Sequence, residues 1–250
     1  MMSKSRYIPK KVDKEVRKAS GFRCSWCGCY LTERHHIYPH SLGGHHSEDN
    51  LILLCPNCHI HAHSDKISVN ELMNRRIRLT GKVDRSSGCL SINKEYFQVD
   101  VGGNHFINCR NILMFNDVPL ISVKNDNGYL LLSVRLFNEE GNLICWMCEN
   151  RWWVENEAIS DFEYTKDKFS IDINNTRVLE LRIKEKLIEM SGSIYLLGDV
   201  IQLSKDEIVF KNSQSMFIDN TFNGIHNAIV IKEKTFNKPI QGGGGILIEI

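Results

Sequence analysis

Hydrophobic spacing divides this chain into a front third of short helices and a longer remainder of strands. Val12, Val16 and Ala19 recur at helical intervals among lysines and arginines, and Gly21 follows them. Positions three and four apart share one face, so an amphipathic helix is expected over residues 9–20. Residues 31–37 read as a strand ending in His35-His36. Residues 38–50 are a loop punctuated by Pro39 and Gly43-Gly44, and the apolar run at 51–54 predicts the returning strand of a hairpin. One helix opens at residues 55–58, and another spans 68–79 with Ser68 as N-cap. A polar break at 81–88 is the expected linker.

Beyond it the period falls to two. Residues 129–137, 169–173 and 179–183 stand out as strands, with turn signals at 125–128, 139–142, 174–175 and 191–193. The expected fold class is α+β: a small N-terminal domain over 1–82, then a mostly antiparallel β domain over 83–250, built as a sandwich or an irregular solenoid. A faint echo links Asn104, Phe106 and Asn111 to Asn220, Phe222 and Asn227, although two copies do not establish a repeat. Cys145 and Cys148 lie in a strand-like run where buried thiols are routine. Trp152-Trp153 fits core packing or an edge cluster better than base stacking. The C-terminal run 241–250 joins four glycines to an apolar end that would close the domain's own sheet or dock on another chain.

Charge sharpens the division. The 250 residues sum to +1, but residues 1–82 hold 14 Lys+Arg against 7 Asp+Glu, and residues 83–250 hold 17 against 23. A basic front part carrying eight of the ten histidines is the footprint expected of nucleic-acid binding. Nine cysteines, an odd number, argue against a secreted disulfide framework and for a reducing cytoplasm. No run of 18 apolar residues occurs and residues 1–6 are polar, so neither a membrane span nor a secretory signal is expected.

The candidate chemistry lies between Cys24 and His63. Two Cys-x-x-Cys pairs, Cys24/Cys27 and Cys55/Cys58, suit a closed tetrahedral zinc site in which each pair forms one knuckle. Four ordinary buried cysteines are the plainer alternative, and Cys29 is a bystander to both pairs. His59 and His63, four apart on a helix, face the same way and can hold one ion, whereas His61 points elsewhere.

Cys24-x-x-Cys27-Gly28, His35-His36-Ile37, Pro39, Gly43-Gly44, Asn50-Leu51, Leu54-Cys55 and Cys58-His59 together resemble the HNH endonuclease family, with its ββα-metal fold. The resemblance covers residues 23–63. It implies His36 as the general base, Asn50 as the brace of the loop, and His35, His59 and His63 as ligands of a catalytic divalent ion. The position of His35 is usually Asp in that family, and the departure is similar to the colicin DNases. Phosphodiester hydrolysis suits these residue types, because an imidazole can deprotonate water near neutral pH and a divalent ion neutralises phosphate charge.

Magnesium, manganese, nickel and zinc are the candidate catalytic ions, beside a structural zinc in the cysteine site. Three imidazoles favour zinc, nickel or cobalt over magnesium. Arg34, Arg75, Arg76 and Arg78 are candidates to grip DNA phosphates, the last three also fitting a helix-end role. The expected function is a DNA endonuclease controlled by its β domain, which would bind a protein partner or self-associate, in a setting such as bacterial defence. The contrasting reading is a non-catalytic zinc module that binds nucleic acid or protein.

Overall fold

The computed structural model describes residues 7–64, 66–78, 85–90, 92, 98–155, 159–185, 187–212, 214–236, 238–239, 242 and 244–250. Two compact units result. The first joins Met1–Asp84 to Ser160–Lys166, and the second joins Arg85–Ile159 to Asp167–Ile250. Among the described residues no helix is long and apolar enough to cross a membrane.

The first unit is small and mixed. Helix α1 (Lys10–Ala19) precedes an antiparallel hairpin of β1 (Glu33–His36) and β2 (Leu51–Leu54), then α2 (Pro56–His63) and α3 (Val69–Arg78). All four residues of β2 are buried, and the period of two explains why. Leu51 and Leu53 meet Val16, Val12 and Ile8 on one side. Ile52 and Leu54 meet Ile37, Ile67, Leu72 and three of the cysteines on the other. A core this small leans on local devices. Ser68 and Glu71 form a reciprocal cap on α3: the Ser68 N–H donates to Glu71 Oε2 at 2.8 Å, and the Glu71 N–H donates to Ser68 Oγ at 3.3 Å.

The second unit is almost entirely strand. Its eight-stranded sheet runs Gly244–Glu249, Asn227–Lys232, Asn111–Phe115, Val118–Asp126, Tyr129–Phe137, Leu143–Cys148, Arg151–Glu155, Arg85–Cys89. A second sheet passes antiparallel through Lys168–Ile173, Thr176–Ile183, Ile188–Leu196, Asp199–Leu203, Glu207–Phe210 and Ser215–Ile218. Trp152 of the first sheet, 2% exposed, meets Phe169 of the second at 5.2 Å between ring centroids. Trp152 is therefore a core residue, and only Trp153 of the pair is partly open.

The Asn-Gly and Asn-Asn turns fall where the sequence puts them, with Asn127, Asn174 and Asn175 all at positive φ. Two expectations fail. Of the expected linker, residues 81–84 lie outside the described residues, and Arg85–Cys89 is an edge strand paired with Arg151–Glu155. Ser191-Gly192-Ser193 is no turn but the middle of Ile188–Leu196; Gly192 sits there at φ 149, where a Cβ would lie 2.2 Å from the Val178 carbonyl oxygen. The C-terminal run closes its own sheet, with Gly244–Glu249 pairing parallel to Asn227–Lys232.

The echo proves physical. Asn104–Ile107 lies parallel to Thr221–Asn223, Phe106 stacks on Phe222 at 4.9 Å, and Asn104 Oδ1 accepts from both the backbone and side chain of Asn220. Asn111 Nδ2 likewise donates to Asn227 Oδ1 at 2.7 Å.

The position of Trp152 gives a stability prediction. Trp152→Ala should destabilise the second unit by about 3–5 kcal/mol, the range for aromatic truncation in a core. Trp146→Ala, on a half-open strand position, should cost less than about 1 kcal/mol. Urea unfolding followed by circular dichroism separates the two, and equal losses would refute the assigned core.

Candidate functional site

Strand β1 is short, and its alternation sorts the chemistry onto two faces. Glu33 and His35 look toward α2. There His59 and His63, one helical turn apart, complete a triad whose ring centroids lie 5.0, 5.0 and 4.7 Å apart. One nitrogen from each imidazole lies within 4.8 Å of the others, and the His59 and His63 Nε2 atoms are 3.2 Å apart. Glu33 Oε2 accepts from His59 Nδ1 at 2.7 Å, which leaves Nε2 as that ring's ligand atom.

Burial, followed by the charges of His59, His63 and His36, pushes the His35 pKa down to about 4. The ring is therefore neutral at ordinary pH, the form that ligates metal. His35 Nδ1 is buried without a hydrogen-bond partner, which an ion would supply. Donor type, spacing and this orphaned nitrogen all fit a divalent cation of borderline softness.

The other face of β1 carries Arg34 and His36. The His36 Nε2 lies 2.9 Å from His46 Nδ1, and His40 stacks on His46 at 4.5 Å. Burial and then the neighbouring His46 and His40 lower the His36 pKa from its ordinary value, keeping a basic nitrogen available. Asn50 braces the intervening loop from inside. Its Oδ1 accepts from the Tyr38 N–H at 2.8 Å, and its Nδ2 donates to the carbonyls of Tyr38 at 3.0 Å and His45 at 3.1 Å. The glycine pair makes this possible. Gly43 is at φ 104, and a Cβ on Gly44 would lie 2.1 Å from the Tyr38 carbonyl oxygen and 2.9 Å from Asn50 Nδ2. The resulting cleft, about 570 Å³, is lined by His35, His36, His40, His59 and His63 among others.

Below the hairpin, Cys24, Cys27, Cys55 and Cys58 bring their sulfurs within 4.8 Å of one another. Cys55 is also the N-cap of α2, accepting from the Cys58 N–H at 3.5 Å. Burial first, then the hydrogen bond to Cys55, raises the Cys58 thiol, a crowding that a dication at the centre would relieve. Cys29 lies outside the cluster, with its thiol toward the Leu31 carbonyl.

The arginines divide. Arg34 gives its guanidinium to Asp13, at 2.5 and 2.9 Å, and to Glu163. Arg76 donates to Glu48 at 2.6 Å, and Arg75 lies over the Trp26 ring at 5.0 Å. Arg78 ends α3, and its side chain lies outside the described part. Glu33 and His46 join the site without having been singled out from the sequence. The two-residue step from Glu33 to His35 was a usable signal; the loop position of His46 offered none.

The family model for HNH endonuclease matches residues 23–65. A protein named Anaredoxin, from Nostoc sp. (strain PCC 7120 / SAG 25.82 / UTEX 2576), is 29% identical over 72 residues, covering 28% of this chain and 95% of that protein. No solved structure matches the chain. Residues 23–65 are an HNH endonuclease domain, and the four cysteines clustered beneath its hairpin are consistent with a zinc knuckle.

Proposed function

We propose that the first unit is a metal-dependent endonuclease that hydrolyses DNA phosphodiester bonds, with His36 as its general base. The observation that carries this reading is the juxtaposition, in one cleft, of a neutral-leaning His36 with the three imidazoles of His35, His59 and His63. His36 takes a proton from water as the water oxygen attacks phosphorus and the bond to the leaving oxygen breaks. His46 and the Asn50-braced loop hold that ring in place. His35, His59 and His63 would hold the divalent ion, which when bound neutralises charge on the phosphate and the leaving oxygen. Three imidazoles rank zinc, nickel and cobalt above manganese and magnesium. A structural zinc belongs in the cysteine site.

DNA as substrate is supported by the excess of Lys+Arg in residues 1–82, with Arg75 as the candidate phosphate contact, because carboxylates already engage Arg34 and Arg76. The second unit carries the opposite charge. It is the candidate controller of when and where the nuclease acts, and Leu247 on its terminal strand, half exposed, is where a protein partner or second copy would meet it. A defence setting rests on this two-part architecture alone.

Incubation of the purified chain with supercoiled plasmid under magnesium, manganese, nickel or zinc tests the activity. His36→Ala should lower the cleavage rate by about 10²–10⁴-fold with DNA affinity kept. A variant that cuts at the wild-type rate would remove His36 from the mechanism. Cys55→Ser should unfold the first unit and release its tightly held zinc, whereas His63→Ala should weaken cleavage in a folded protein. Metal content by mass spectrometry, set beside melting curves, reads both; a stable, zinc-free Cys55→Ser protein would overturn the structural assignment.

A further inference from the structure

One segment of the first unit is contributed by distant sequence. Ser160–Lys166 packs with Met1–Asp84, although the chain enters it from Arg151–Glu155 and leaves it for Lys168–Ile173, both strands of the second unit. Three kinds of contact hold it. The Thr32 N–H, one residue before β1, donates to the Tyr164 carbonyl at 3.1 Å. Phe162, 2% exposed, meets Phe22 at 6.3 Å and Tyr30 at 6.2 Å, both edge-on. Arg17, buried on α1, forms a fork to Asp161 through Nε at 3.0 Å and Nη2 at 2.6 Å.

A second ion pair reaches the chemistry. Glu163 accepts from Arg34, which also bonds Asp13 of α1. Burial works against the Arg34 charge, but the hydrogen bond and charge of Asp13 and then Glu163 outweigh it and raise its pKa. Arg34 immediately precedes His35 and shares a strand face with His36. A guanidinium shared between two carboxylates is held in one place, so it tethers the strand that bears it to α1 and to residues 160–166. Asp161 and Glu163 lie outside residues 23–65 and leave no trace in the motif that marks the domain.

We infer that Ser160–Lys166 is a working part of the nuclease, with Glu163 a positioning residue that acts through Arg34 on the strand carrying His35 and His36. Asp161 anchors the segment to α1. This rests on the reading of the first unit as a nuclease, and it deepens that reading: the fragment 1–82 lacks part of its own scaffold.

The test uses the full chain. Glu163→Gln keeps the shape of the side chain and removes its charge, while Glu163→Asp keeps the charge. Both are read by cleavage kcat and KM and by hydrogen–deuterium exchange across residues 31–38. Glu163→Gln should lower kcat by about 10- to 100-fold, the scale of a small misplacement of reacting groups, with KM held and exchange at β1 accelerated. Glu163→Asp should recover a large part of both. Trp152→Ala, which weakens the second unit and leaves both partners of the Arg34–Glu163 pair in place, should leave kcat and β1 exchange alone. Unchanged kcat and unchanged exchange in Glu163→Gln would overturn the inference, as would a loss of rate matched by Trp152→Ala. If Glu163→Gln fails to fold, Arg34→Lys, which keeps the charge and loses the fork, is read in the same way. A wild-type chain that cuts nothing would sink the nuclease reading, and the exchange measurement would still decide the positioning role.

Discussion

A strand has two faces, and β1 has only four residues with which to use them. Glu33 and His35 turn to α2 beside His59 and His63, while Arg34 and His36 turn the other way, one to Asp13 and Glu163 and one to His46. The two neighbouring histidines of the motif can therefore do different work although they are adjacent in sequence. A one-residue slip of β1 against β2 would exchange the faces and destroy both sites at once. The register Glu33↔Leu54 to His36↔Leu51 is guarded by the burial of all four β2 residues.

The cysteines and ion pairs reinforce that guard. The sulfur cluster ties the turn at Cys24–Cys27 to the start of α2, at the end of β2 remote from His36. The Arg17–Asp161 and Arg34–Glu163 pairs tie α1 and β1 to residues from far along the chain. Buried pairs of this kind add little net stability over apolar packing, but loss of one partner strands a charge and is strongly destabilising. They specify geometry more than they supply energy.

Much of this was legible in the sequence. The hairpin, the flanking helices, the Ser68 cap and the Asn-bearing turns follow from local spacing and local hydrogen bonding, and the structure brings Cys24, Cys27, Cys55 and Cys58 together and His35, His59 and His63 together. What escaped depends on contacts far apart in the chain. Gly192 reads as a turn residue, but its glycine is required by the close approach of the Val178 carbonyl oxygen. The polar run Arg85–Cys89 lacks alternation, and its pairing comes from Arg151–Glu155. Segment 160–166 drew no reading of its own, and nothing local says that Asp161 and Glu163 have arginine partners at positions 17 and 34. The echo at Asn104 and Asn220 was visible but mute. Its meaning, two segments in parallel register at a constant separation of 116 residues, needed the pairing itself.

The proposed nuclease requires two chemically distinct ions within residues 24–63, one among the four sulfurs and one among the three imidazoles. Anomalous diffraction from crystals grown with zinc and then exchanged into nickel or manganese examines both at once. A zinc peak within the sulfurs of Cys24, Cys27, Cys55 and Cys58 should survive exchange, and a second peak among His35, His59 and His63 should take the identity of the soaking metal. An empty imidazole site at saturating metal, in a protein that still cuts DNA, would contradict that requirement.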